Sequence, residues 1–329
     1  MNYFVRKLGF YAIALWAALT LNFVIPRLLP GNPVDILLAK LAQRGGQVTP
    51  ETRTAYELLL GGDSSQPLIV QYGNYLVNIA RGDLGVSVSY FPTPVSEVIG
   101  TSLPWTIVLV GIATVLGAGL GVLLGAFVGW KPGTWLDGLV PATTLLAAVP
   151  YFWLALILVY VLATTLRMFP SQGGYDVVLD PGLNGPFLLS ALEYGFLPAL
   201  TIVIASIGGW LLGMRNMMVS TLSEDYVLTA TAKGLTPAKI LRSYASRNAV
   251  LPSVAGFAIS LGFVVSGSIV TEQVFSYPGI GSKLLSAVTN NDYALMQGIF
   301  LYITLAVLGA NLVVDMFYGV IDPRTRARS

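Results

Sequence analysis

The side chains behind most enzymatic and redox chemistry are missing from this sequence. It contains no histidine and no cysteine, so the commonest proton relay and metal ligand is absent, as is every thiol nucleophile and disulfide. No Ser/His/Asp set can be assembled, and a metal-ligand set could be built from carboxylates alone. No GxxxxGK[ST] phosphate loop occurs, so the chain carries no nucleotide-hydrolysing motif of its own. What remains is 18 Lys and Arg against 16 Asp and Glu. Asp315 is the clearest charge inside an apolar stretch, and Arg215 lies at the matching depth of another. A structural ion pair between Arg215 and Asp315 is the plain expectation. The competing use of such a carboxylate is ion or proton coupling in a secondary carrier.

The other concentration of polar residues is the stretch 221–252, TLSEDYVLTATAKGLTPAKILRSYASRNAVLP. It reads as two short helices. Thr221 with Glu224 three residues on makes a capping-box pattern. Glu224 and Asp225 in the first turn and Lys233 in the last suit the helix macrodipole. Gly234 is the natural stop, and Thr236-Pro237 restarts a helix, because proline at the first helical position loses no hydrogen bond. A first helix of about ten residues is marginal alone in water and needs a surface to lie against. These residues leave two readings open: a polar segment packed on its own protein, or a docking helix for a soluble partner.

The elements around it are apolar. The chain is 55% hydrophobic and 10% charged, where ordinary globular domains carry about a quarter charged residues. Apolar runs of about 18 or more residues recur, each able to cross a hydrocarbon core roughly 30 Å thick. The sequence therefore predicts an all-α polytopic membrane protein with six spans, near residues 8–25, 106–130, 138–166, 196–218, 253–270 and 296–320. Pro26 ends the first, and Pro150 lies inside the third. Arg6 and Lys7 precede an apolar run with no A-x-A site after it, which reads as a retained span and not a cleaved leader.

Four regions follow: residues 1–26 with the first span, a folded extramembrane excursion at 27–103, a five-helix core at 104–320 containing the polar stretch 219–252, and a tail at 321–329. In the second span Gly117, Gly121, Gly125 and Gly129 recur every fourth residue. Small residues so spaced let two helix backbones approach closely in lipid.

Six spans put both termini on one side. That side carries Arg6, Lys7, Lys131, Arg215, Lys233, Lys239, Arg242, Arg247, Arg324, Arg326 and Arg328, against Arg167 and Lys283 in the short opposite loops. The asymmetry predicts cytoplasmic termini and a cytoplasmic 221–252 stretch, which favours the docking reading.

Six segments, in order, carry a resemblance. They are LLPGNPVD (28–35), QPLIVQYGNYL (66–76), RGDLGVSVS (81–89), EDYVLTATAKG (224–234) followed by RNAVLP (247–252), VFSYPGIGSKLLSAVTNNDYALMQG (274–298) and DPRTR (322–326). Together they resemble the B-type permease subunit of the dipeptide, oligopeptide and nickel group of ABC importers. Related importer families often carry Glu-Ala-Ala where this chain has Leu228-Thr229-Ala230.

The resemblance implies a type I importer permease that forms half of a translocation pathway and catalyses nothing itself. Its expected partners are a homologous second permease, two ATPase subunits that bind the ATP and magnesium, and an extracytoplasmic solute-binding protein. Peptides are the cargo it suggests first, then oligosaccharides, then a nickel chelate. It places the ATPase coupling on Glu224, Asp225, Tyr226, Thr229, Ala230, Ala232, Lys233 and Gly234. The basic face of the second short helix, Lys239, Arg242 and Arg247, would meet lipid headgroups or ATPase carboxylates, while Ile240, Leu241 and Tyr244 would pack on the ends of the spans.

Overall fold

A backbone in hydrocarbon must satisfy its own N–H and C=O groups, and a helix does so within one segment. The computed structural model describes residues 2–28, 31–43, 45–59, 66–264 and 269–321. These are overwhelmingly helical, with one isolated antiparallel bridge between Val86 and Pro94. In chain order the helices are α1 (Asn2–Leu28), α2 (Pro33–Gln43), α3 (Pro50–Leu59), α4 (Leu68–Ala80), α5 (Val95–Trp130), α6 (Leu139–Ala148) and α7 (Tyr151–Leu158, continued as a π-helix over Val159–Thr165). Then come α8 (Gly185–Leu222), α9 (Asp225–Ala232) and α10 (Pro237–Lys239), which passes through a π-helical stretch Ile240–Ala245 into α11 (Ser246–Ala249). The last four are α12 (Leu251–Phe263), α13 (Ile269–Val274), α14 (Ile280–Thr289) and α15 (Tyr293–Ile321).

Among the described residues, four stretches are long and apolar enough to cross a membrane: Arg6–Leu28, Val95–Trp130, Gly185–Leu222 and Tyr293–Leu312. The third expected span is not one rod. Its two halves, α6 and α7, meet at 99°. Pro150 disfavours the helical region for the residue before it, and Val149 accordingly has ψ of 127°. The pair forms a fifth membrane-crossing candidate only as a broken unit. The apolar stretch of α12, Leu251–Leu261, is shorter still, and residues 265–268, which the expected fifth span includes, lie outside the described residues.

Three boundaries also move. α1 continues through Pro26 to Leu28. α5 begins at Val95 and passes through Pro104. α8 begins at Gly185, ahead of the expected span at 196–218, where Asn184 Oδ1 accepts from the Phe187 N–H at 2.9 Å.

The chain divides into two compact units, Met1–Trp105 with Pro278–Ser329, and Thr106–Tyr277. In the first, Val95, Val98 and Ile99 pack with Ile280, Leu284, Leu295, Met296 and Ile299. The fit is tight at Gly298, where a Cβ would come 2.5 Å from Val95 Cγ1. α1 packs along α15.

In the second unit, α5 lies against α8 along the glycine stripe. A Cβ on Gly117 would sit 2.5 Å from Ser206 Oγ, one on Gly121 2.5 Å from Trp210 Cβ, and one on Gly129 2.6 Å from Met218 Cβ. On Gly125 it would collide with the Leu211 carbonyl oxygen. The two backbones are as close as hydrogen-only side chains allow, and dispersion contact supplies the attraction that apolar lipid cannot.

Candidate functional site

The hairpin of α9 and α10–α11 is built directly on the ends of α5 and α8. Thr221 does not cap α9: it is buried in the last turn of α8. Glu224 occupies the N-cap position with extended backbone (ψ 143°) and makes no side-chain cap bond. The capping box is lost because α8 runs on to Leu222, consuming the residue that would have capped. α9 closes as a Schellman motif, with Leu235 N–H donating to Ala230 O at 3.3 Å and Gly234 N–H to Thr231 O at 2.9 Å. Gly234 has φ of +73°, the left-handed conformation that glycine adopts without a Cβ penalty. Thr236 and Pro237 then start α10 at the N-cap and first helical positions.

α9 is two-faced. Val227 and Ala230 are buried and pack with Ile240, Trp130, Leu222, Leu235 and Tyr244. Asp225, Leu228, Thr229 and Ala232, at i, i+3, i+4 and i+7, are all exposed; that spacing forms one helix face. Glu224, Tyr226, Lys233 and Gly234 are exposed as well. Of the eight expected coupling residues, Ala230 alone points into its own protein, at 2% exposure.

The second arm is anchored independently. Ala245 and Ala249 pack with Met214 and Met218 of α8, against Val122, Ala126 and Trp130 of α5 and beside Leu241. Leu241 thus reaches the span ends, while Ile240 and Tyr244 chiefly close the hairpin. Lys239, Arg242 and Arg247 are exposed. Trp130 belongs to both packing clusters, so it joins the buried face of α9 to the last turns of α5 and α8.

Arg215 lies beside this junction. Its backbone O and N would lie 2.9 Å and 3.1 Å from Cβ atoms on Gly129 and Gly125. Its Nε is buried without a hydrogen-bond partner, and Nη1 reaches Asn216 Oδ1 at 3.4 Å. The side chain of Asp315 lies outside the described residues, as does the DPRTR segment at 322–326.

Residues 121–327 match the family of binding-protein-dependent transport system inner membrane components. The chain belongs to that family. The matched range takes in the hairpin, α8 and the end of the glycine stripe. Relatives align with this transport component from end to end. The di/tripeptide transport system permease protein DppB of Pseudomonas aeruginosa is 34% identical, over 99% of both chains. The oligopeptide transport system permease protein AppB of Bacillus subtilis is 30% identical over 98% of both. The dipeptide transport system permease protein DppB of Escherichia coli is 29% identical over 99% of both.

Other features of this inner membrane component emerge only from its folded form. Asn248 Nδ2 donates to Tyr226 Oη at 2.9 Å, tying the two arms together across 22 residues of sequence. Leu228, at 57% exposure, is an apolar side chain at the middle of the outward face of α9. Glu272 and Asp292, the two buried acidic residues among the described residues, both have 0% exposure. Thr106 Oγ1 donates to Glu272 Oε1 at 2.9 Å. Burial, and next the Glu272 charge, push the Tyr277 hydroxyl well above the usual phenol range. No local pattern marks either acid: each lies in a polar stretch that reads as extramembrane.

Proposed function

We propose that this protein is the membrane-spanning permease subunit of an ATP-driven importer of short peptides, and that the 221–252 hairpin receives the stroke of partner ATPases. End-to-end similarity to proteins named as di/tripeptide, oligopeptide and dipeptide permeases carries the peptide assignment. The hairpin geometry supports the coupling role. The outward stripe Asp225, Leu228, Thr229 and Ala232 is free to enter a groove on a soluble subunit, while Val227 and Ala230 hold the helix to Ile240 and Trp130.

In this reading the chain crosses the membrane six times with cytoplasmic termini and pairs with a homologous permease. Two ATPase subunits bind the ATP and magnesium, and an extracytoplasmic binding protein delivers cargo. Nucleotide binding then supplies the differential free energy between two rigid-body arrangements.

The absence of native cysteine makes the test clean. A Thr229→Cys protein, assembled with its transporter subunits in native membranes, is expected to cross-link to an ATPase subunit through a short thiol-reactive reagent, and uptake of a labelled dipeptide is expected to cease when that ATPase is inactivated. Uptake that continues without the ATPase and follows an ion gradient would instead identify a secondary carrier.

A further inference from the structure

The last turn of α1 holds a cation that has no carboxylate partner among the described residues. Arg27 places its guanidinium carbon 3.6 Å from the centroid of the Phe23 ring, and Nη1 donates to Phe23 O at 2.8 Å. Phe23 is buried and meets the rings of Tyr72 and Tyr75 of α4 at 5.1 Å and 5.5 Å between centroids. The titratable groups beside the guanidinium are the neutral hydroxyls of Tyr293 and Tyr75. Among the described residues no carboxylate pairs with it.

Several polar groups on the helices of this unit are donors that lack an acceptor. Tyr293 Oη is engaged, donating to Gly31 O at 2.8 Å. Tyr75 Oη is buried with no partner, as are Asn22 Nδ2 of α1 and Gln297 Nε2 of α15. Burial, and then Tyr72, hold the Tyr75 hydroxyl protonated, pushed up to about 12, so it remains a donor at neutral pH. Gln297 follows Tyr293 by one helical turn, and α1 packs along α15.

Each buried donor without an acceptor costs roughly 1–3 kcal/mol. A planar cation with the unpartnered Tyr75 hydroxyl beside it calls for an anion with several acceptor oxygens. A guanidinium fork matches phosphate geometry. Arg27 ends the apolar stretch Arg6–Leu28, at the depth where headgroups lie and where tyrosine is favoured by its apolar ring and polar tip.

We propose that Arg27 and Tyr75 form a binding site for the phosphate of an anionic membrane lipid, with the unpartnered amides of Asn22 on α1 and Gln297 on α15 as further donors. The lipid completes the hydrogen bonding where α1, α4 and α15 meet. It acts as a structural ligand for the first unit and is independent of cargo.

The test uses the full-length chain in its assembled transporter, stripped of lipid in detergent and then given phosphatidylglycerol, phosphatidylcholine of the same acyl chains, or inorganic phosphate. Native mass spectrometry should show phosphatidylglycerol retained about tenfold over phosphatidylcholine, the factor that one charge-assisted hydrogen bond provides. Arg27→Gln should abolish that preference and Arg27→Lys should weaken it. Tyr75→Phe keeps the ring and so keeps the packing: lipid-free, it should melt at or above the wild-type temperature, and its gain on adding phosphatidylglycerol should be smaller than wild type's. An unchanged preference in Arg27→Gln, or an equal lipid-induced gain in Tyr75→Phe, overturns the site. Displacement of the lipid by millimolar inorganic phosphate overturns the lipid as its source in favour of a free anion.

Discussion

Ser87 and Asp292 stand 205 residues apart in sequence and meet through a 2.5 Å hydrogen bond from Ser87 Oγ to Asp292 Oδ2. The same carboxylate oxygen accepts from the Ser89 N–H at 2.8 Å, and Oδ1 accepts from the Leu295 N–H at 3.1 Å. Asp292 therefore caps α15 and holds the 87–89 turn against it. Replacing it with alanine strands three donors, at roughly 1–3 kcal/mol for each that stays buried. Ser87→Ala leaves the two backbone bonds to Asp292 but removes one donor to it and the acceptor of the Tyr90 N–H at 3.1 Å, at roughly 1–3 kcal/mol. Thermal unfolding in detergent should rank Asp292→Ala below Ser87→Ala, and Ser87→Ala below wild type.

The glycine stripe has a built-in control. Gly121 and Gly125 face α8 at contact distance, whereas a Cβ on Gly119 meets nothing within 4 Å. Gly121→Leu or Gly125→Leu should overpack the α5–α8 contact at a cost of about 1–3 kcal/mol or more. Gly119→Leu, on the open side of the same helix, should be accepted and slightly favourable to helix propensity. Monodisperse yield after solubilisation distinguishes them.

At Gly234 the penalty is conformational alone. Its φ is +73° and no atom lies within 4 Å of a Cβ placed there. Gly234→Val should cost at least ~1–2 kcal/mol in the turn, and Gly234→Asn less, because asparagine tolerates the left-handed region. If α9 transmits the stroke, Gly234→Val will lower peptide uptake per ATP hydrolysed while membrane insertion stays normal, and Gly234→Asn will lie between it and wild type. Equal coupling ratios in all three would remove the hairpin from the mechanism.

The pair Thr106 and Glu272 gives a directional test. Glu272→Gln keeps an acceptor for the Thr106 hydroxyl, whereas Thr106→Val removes a donor from a fully buried carboxylate. Leaving a buried acceptor without its donor costs about 1–3 kcal/mol. Thr106→Val should therefore lower the melting temperature more than Glu272→Gln does.

Membrane class, the apolar stretches and the punctuation of the hairpin were legible in the residues themselves. A glycine that stops a helix, or a proline that starts one, acts within a few residues of backbone, so Gly234 and Pro237 can be read without knowing their neighbours. The four-residue spacing of Gly117 to Gly129 is likewise local. Which helix meets that stripe is not: α8 is apolar on nearly every side, and an all-round apolar helix gives no periodicity from which to choose its partner. The fold also decided that Thr221 finishes α8 instead of capping α9, and that Val149 and Pro150 turn the third apolar stretch through 99°. The burial of Asp292 and Glu272 came from the same source. Each of these outcomes depends on contacts closed between distant parts of the chain. Local pattern encodes what a segment can form, and only packing against the other segments selects which of its surfaces is covered and by what.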